Sequence, residues 1–224
     1  MSASPSSDRV VVRHGPRRAR YDAATVHAIL DAGMLCHLGY VVDGQPYVVP
    51  TLYGRDGDSV VVHGSSASRA LVTGTSTPVC VTVTHLDGLV LARSLFNHSA
   101  NYRSVVVLGQ AHVIHERGDK EAALRILTEH LVPGRWDEAR AVNEKEMRAT
   151  TVLRLDLHEC SAKVRTGPPG DDEEDLALPV WAGEIPLELV AGPPVADPAL
   201  ARNIPMAESV ARWVPGAERH QGRA

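Results

Sequence analysis

Asp58 to Leu71 reads DSVVVHGSSASRAL, and the change of character inside it decides what kind of chain this is. Val60, Val61 and Val62 make a strand that needs cover on both faces, because a strand with one solvated face alternates apolar with polar residues. The run then breaks into His63, Gly64, Ser65, Ser66, Ala67, Ser68 and Arg69, with a short helix expected from Ala70. A turn so rich in hydroxyls can converge backbone amides on an anion, with Arg69 pairing phosphate oxygens in a fork. The plainer reading is that Ser68 caps the next helix and Arg69 lies on the surface.

Strand-like runs lie on both sides of this stretch: MLCHLGYVV (34–42), QPYVVPTLY (45–53), PVCVTVTHL (78–86), LVLARS (89–94) and SVVVLGQAHVIH (104–115). Asp43-Gly44, the Asp-Gly-Asp at 56–58 and Asp87-Gly88 read as hairpin turns between them. Six or more strands without intervening helices argue for an antiparallel barrel or sandwich, since a parallel sheet needs long crossovers. The fold class expected is mainly β with α.

Helical periodicity brackets this block. DAATVHAILDAG (22–33) places Val26, Ile29 and Leu30 on one stripe, with Asp22 as N-cap and Gly33 as a left-handed C-cap. DKEAALRILTEHL (119–131) aligns Ala123, Leu124, Leu127 and Leu131 before Pro133-Gly134 stops it, and a second helix is expected within 138–149. TVLRLDLHECSAKV (151–164) alternates as one last strand, and a short helix fits 206–213. The expected organisation is a flexible arm over residues 1–20, a single domain over 21–190 and a C-terminal extension over 191–224.

Composition excludes several functions. Net charge is −4 over 224 residues, which supplies no basic footprint for nucleic acid. The longest apolar runs are strand-length, well short of the roughly 20 residues of a membrane helix. With no secretory apolar segment at the N-terminus, a cytoplasmic protein is expected. Cys36, Cys80 and Cys160 sit apart in apolar segments and read as buried thiols. Eleven histidines carry neither a C-x-x-C pair nor an H-E-x-x-H helix to bring metal ligands together, so no metal is expected.

PYVVPTLYG, VVVHGSSASRAL, PVCVTV and NYRSVVVLGQAHVI, followed by a helix carrying EAAL, occur here in that order. This series resembles the pyridoxamine 5′-phosphate oxidase-like, FMN-binding split-barrel superfamily. Within that superfamily it is most similar to flavin-nucleotide-binding proteins related to nitroimidazole-resistance proteins. The resemblance spans Asp22 to Leu189 and implies an FMN-binding split β-barrel with peripheral helices, working as a homodimer with cofactor sites at the interface.

On this resemblance, Val49, Pro50 and Thr51 lie against the isoalloxazine, and Val62, His63 and Gly64 beside the ribityl chain. Ser65, Ser68 and Arg69 hold the phosphate, Ser104 approaches the pyrimidine edge, and Trp181 of VWAGEIPLEL reaches a flavin across the dimer interface. Two departures stand out. Ala70 replaces the lysine that follows the oxidase's Ser-Arg, and EIPLEL carries none of the arginines and histidine with which the oxidase grips pyridoxamine phosphate. The implied activity is therefore a flavin-dependent oxidoreductase acting on a small nitroaromatic or quinone-like molecule rather than on vitamin B6. An F420-dependent reductase, or a flavin- or haem-binding protein without turnover, are the alternatives.

His63 is a catalytic candidate because imidazole exchanges protons near neutral pH. The polar loop ARSLFNHSANYRS (92–104) adds His98 and Tyr102, crowded with Arg93, Ser94, Asn97 and Arg103. A solvated hairpin tip explains that loop equally well. If Arg69 holds a phosphate, Arg69→Ala weakens cofactor binding by about 1.5 to 3 kcal/mol, the range for a hydrogen bond to a charged group. Fluorescence titration measures this, and an unchanged dissociation constant removes the assignment.

Overall fold

The structure, a computed structural model, describes residues 4–65 and 76–214. Its strands are β1 (Ala19–Arg20), β2 (Leu35–Val42), β3 (Gln45–Asp56), β4 (Ser59–Ser65), β5 (Ser76–Leu91), β6 (Ser99–Val113), β7 (Thr150–Asp156), β8 (Glu159–Arg165) and β9 (Gly183–Pro186). The helices are α1 (Ala23–Ala32), α2 (Arg117–Leu131), α3 (Arg135–Glu138), α4 (Glu144–Ala149) and α5 (Glu208–Ala211). Among the described residues no helix is long and apolar enough to cross a membrane.

All the pairings are antiparallel, and the order β6-β7-β4-β3-β2-β5 returns to β6 to close a ring. One edge of β6 pairs with β5 along most of its length. The other edge is divided. Tyr102 to Leu108 pair with β8, and only His112 and Val113 reach β7. The barrel is therefore split, with β8 and β1 as a flap beside a seam two residue pairs long.

The valine strand explains the two cores. Val60 and Val62 point into the barrel with Val81, Val83, Val105 and Val107. Val61 points outward and joins Val152, Ala123 and Leu127 beneath α2. Opposite Val61 on β3 stands Gly54. A Cβ there would lie 2.9 Å from Leu127 Cα, so glycine is what lets α2 approach the sheet this closely.

Three local expectations are corrected. Gly33 ends α1 in extended backbone, φ −88° and ψ 164°, not in a left-handed cap. Its missing side chain is needed because a Cβ would collide with the Tyr53 hydroxyl. Asp87-Gly88 is a bulge within one long strand, not a hairpin. Asp87 is held by Arg103 of β6 through bonds of 2.9 and 2.8 Å, and Gly88 lets β9 lie alongside. Residues 151–164 form two strands, turning at Leu157-His158 without a glycine. Leu157 is buried and its N–H donates to Asp58 O at 2.8 Å, so a tertiary contact fixes this turn.

Residues expected to form a flexible arm make contacts with the flap. Val10 is buried, β1 pairs with β8, and Ser7 and Arg9 bond Glu159. In the C-terminal extension, α5 docks on α3 through Ser209 and Glu138, and Trp213 Nε1 donates to Leu131 O at 2.8 Å. Gly54→Ala is expected to destabilise the fold by about 1 to 3 kcal/mol, the usual result of overpacking. A lower urea midpoint at unchanged slope would show it.

Candidate functional site

β3 and β4 are paired from Asp56↔Ser59 up to Tyr53↔Val62, and there the ladder stops. Continued register would set Leu52 against His63 and Thr51 against Gly64. Instead β3 runs on with β2 alone, and His63, Gly64 and Ser65 pair with Val152, Thr151 and Thr150 of β7. A wedge opens between two strands that began as a hairpin. Along it, Val49, Pro50 and Thr51 have no ladder partner on the β4 side among the described residues, and Pro50 has no N–H to offer. Backbone edges of this kind suit a flat ligand carrying its own donors and acceptors.

The side chains divide by strand parity. Val62 points into the barrel core, so only its backbone can face a ligand. Val49 packs against the same core, Thr51 is half-buried and Pro50 is exposed. His63 lies on the outer side, opposite the fully buried Val152. Its Nδ1 is sequestered without a hydrogen-bond partner among the described residues. Such an atom costs about 1 to 3 kcal/mol unless a further group completes it. Burial also lowers the His63 pKa, which keeps the ring neutral.

Gly64 is half-buried and Ser65 exposed at the mouth of the wedge. Ser68 and Arg69 lie outside the described residues. The remaining candidates are elsewhere. Ser104 sits on β6 between Thr84 and Lys163, its hydroxyl 3.5 Å from Lys163 O. Trp181 precedes β9 and packs over Gly183, which pairs with Leu91. Thr82 of the same strand is level with His37 and Pro50, so Trp181 stands about 30 Å along β5 from the wedge. His98 Nδ1 is 2.9 Å from Ser94 O in the β5–β6 loop, and Tyr102 is half-buried opposite Leu86 and Arg165. One chain thus joins Val49–Thr51 with His63–Ser65, and places His98, Tyr102 and Trp181 at the other end of β5 and β6.

The crowded polar loop is largely occupied with holding itself together. Arg93 bonds Asp171 through its backbone N–H at 2.8 Å and its guanidinium at 2.7 Å, Arg103 grips Asp87, and Ser94 accepts from Phe96 N. Two histidines escaped the reading of the sequence. His85 Nε2 lies 3.0 Å from Ile29 O, and its pKa is lowered chiefly by burial. His37 is exposed on the outer face of β2, directly opposite Pro50. The alternation of buried Cys36, Leu38 and Tyr40 in LCHLGYVV would have revealed it. Cys36 itself belongs to the core, its thiol pushed up to about 12 by burial, and Cys80 and Cys160 are half-buried free thiols.

This split ring agrees with comparisons to known proteins. The family pattern described as pyridoxamine 5′-phosphate oxidase matches residues 22–164. The chain belongs to the pyridoxamine 5′-phosphate oxidase family. The flavocytochrome Anf3 from Azotobacter vinelandii is 45% identical with a TM-score of 0.92, over 96% of this chain and 100% of that one. An FAD- and haem-binding protein from Mycobacterium smegmatis is 36% identical with a TM-score of 0.85, over 89% of this chain and 98% of that one. A 5-nitroimidazole antibiotic resistance protein homologue from Bacteroides thetaiotaomicron shares the fold at 21% identity and a TM-score of 0.54, over 65% and 86% of the two chains. No functionally curated protein matches the chain. The pyridoxamine 5′-phosphate oxidase pattern ends at residue 164, whereas the first two structures extend over most of this chain.

Two half-buried histidines, His63 and His85, make stability depend on pH. Both have folded pKa values below 6.5, so on acidification the unfolded chain takes up protons that the folded one refuses. Their contribution is complete above the unfolded value and is lost as pH falls through the lowered folded values. Urea unfolding at about pH 7.5 and 5.5 should show this loss, and His63→Gln should reduce it.

Proposed function

We propose that this protein is a flavin-dependent oxidoreductase, assembled as a homodimer and carrying haem as a second redox group. The observation that carries the reading is the wedge, bounded on one side by the bare β3 edge and on the other by the strand carrying His63, whose sequestered Nδ1 has no partner among the described residues. The relatives support haem: one is a flavocytochrome and the other is named for FAD and haem. The second name also favours FAD over FMN, with FMN and F420 as the other outcomes of cofactor analysis.

When bound, the flavin supplies hydride and single-electron transfer. The chain's own residues bind and orient it. Val49, Pro50 and Thr51 offer their backbone edge, and His63, held neutral, offers Nδ1 for one hydrogen bond from the burial side of the wedge. Ser65, Ser68 and Arg69 take the phosphate. On this reading vitamin B6 is excluded as substrate, because EIPLEL carries none of the arginines and histidine with which the oxidase grips pyridoxamine phosphate. In that stretch Glu184 instead accepts a hydrogen bond from Asn101 Nδ2 at 2.5 Å. Small nitroaromatic or quinone-like compounds are the acceptors to test.

Dimerisation is supported by the apolar end of β5 and β9. Leu86, Leu89, Leu95, Phe96 and Ile185 are exposed there, Phe96 at 93%, beside Trp181 at 67%. A two-fold arrangement lets Trp181 meet the partner's wedge, which it cannot reach in its own chain.

Absorption spectroscopy of the purified protein, with mass analysis of the released cofactor, tests the flavin. Absence of uptake of any flavin overturns the function. Trp181→Ala should leave folding stability unchanged, weaken flavin retention and shift sedimentation toward monomer. No change in retention or assembly would remove the dimer reading.

A further inference from the structure

We infer that a crevice at the end of the barrel opposite the wedge binds a small organic cation, an amine carried on an apolar body. A cavity of about 440 Å³ lies there between the N-terminal residues, α1, the β3–β4 turn and the β7–β8 turn. That volume falls within the range of small-molecule sites. Val26 of α1 and Leu157 of the β7–β8 turn, both buried, give it an apolar floor. Tyr21 lines one side, its hydroxyl accepting from the Val12 N–H at 2.9 Å, so the N-terminal residues fix its position. The remaining wall is polar and carries Asp58, Asp156, His27 and His158. The full length of β4, Ser59–Ser65, separates this crevice from the mouth of the wedge, a distance of about 20 Å. The site is therefore independent of the flavin reading.

The distribution of charge selects the guest. Asp56 and Glu159 flank the lining residues in sequence, and each is neutralised by an arginine: Arg154 meets Asp56 at 2.7 Å and Arg9 meets Glu159 at 2.9 Å. The two aspartates that line the cavity have no arginine or lysine in ion-pair contact. Asp58 meets only His27, Nε2 to Oδ1 at 2.9 Å, and Asp156 forms no ion pair with any described residue. The Cys160 thiol of the same wall is pushed up by burial and further by the charge of Asp58, so it adds no charge of its own. Carboxylates without a fixed cation, beside a tyrosine ring, favour a positively charged guest over a neutral or anionic one. Among the described residues no three His, Cys, Asp or Glu side chains are grouped to ligate a metal ion, so an organic cation fits this wall and a metal ion does not. The Asp58 side chain is 85% exposed, and screening by water sets the expected dissociation constant at about 1 mM.

The test is titration of the full-length protein with benzylamine, and with benzyl alcohol as its neutral counterpart, followed by saturation-transfer NMR and by mapping of amide shifts. Benzylamine should bind saturably and shift the amides of residues 156–160, and benzyl alcohol should bind about tenfold more weakly. Asp58→Asn and Asp156→Asn should each weaken benzylamine by about threefold. Asp43→Asn, which removes the same charge at the exposed β2–β3 turn, should match the wild type. Equal binding of the amine and the alcohol overturns the inference, as does equal weakening by Asp43→Asn. Shifts confined to residues 48–52 and 63–65 would put the amine in the wedge and overturn the site. Absence of saturable benzylamine binding up to about 10 mM, ten times the expected constant, overturns it as well.

Discussion

The buried hydroxyl of Tyr53 is the joint on which the rest of the molecule hangs. It donates to Leu30 O at the end of α1, while the Tyr53 ring lies 5.1 Å from that of His130 on α2. His130 Nε2 lies 2.8 Å from Gly33 O and must donate, because a carbonyl can only accept. Two helices are therefore fastened to one residue, and that residue forms the last rung of the β3–β4 ladder. Beyond it the strands are free to diverge. The wedge exists because its base is clamped and its lips are not.

How much of this was legible depends on whether the signal was local. Val60 to Val62 announced a strand covered on both faces, and the structure divides them between the barrel core and the α2 cluster. The order of strands and helices carried the family. Asp87-Gly88 misled because the same dipeptide serves a hairpin or a bulge, and the choice was made by Arg103 on a neighbouring strand. The Leu157-His158 turn carried no signal at all, being fixed by the backbone of Asp58. For the site, His63 stood out in the sequence because of its neighbours, yet its stranded Nδ1 is a property of packing. His37 was legible but went unread, since the alternation of LCHLGYVV sets it on the face opposite Cys36, Leu38 and Tyr40.

Arg93, Arg103, Ser94 and His98, which the sequence crowds together around one loop, serve in good part to brace it. The wedge, by contrast, is made mainly of backbone and apolar side chains. A cofactor that brings its own chemistry needs edges and an anchor more than it needs a triad.

The two-pair seam between β6 and β7 has a consequence for how the molecule is made. β4 finds its partner in β7, roughly 90 residues further along the chain, and long-range pairing of this kind folds slowly. During synthesis, the strands up to β6 can assemble as an open sheet, but the ring must wait for residues 150–156 to emerge. In that interval the valines of β4 and the edge of β6 are bare. A cell producing this protein has to shelter a half-barrel, and α2, arriving between β6 and β7, covers Val61 before the ring can shut.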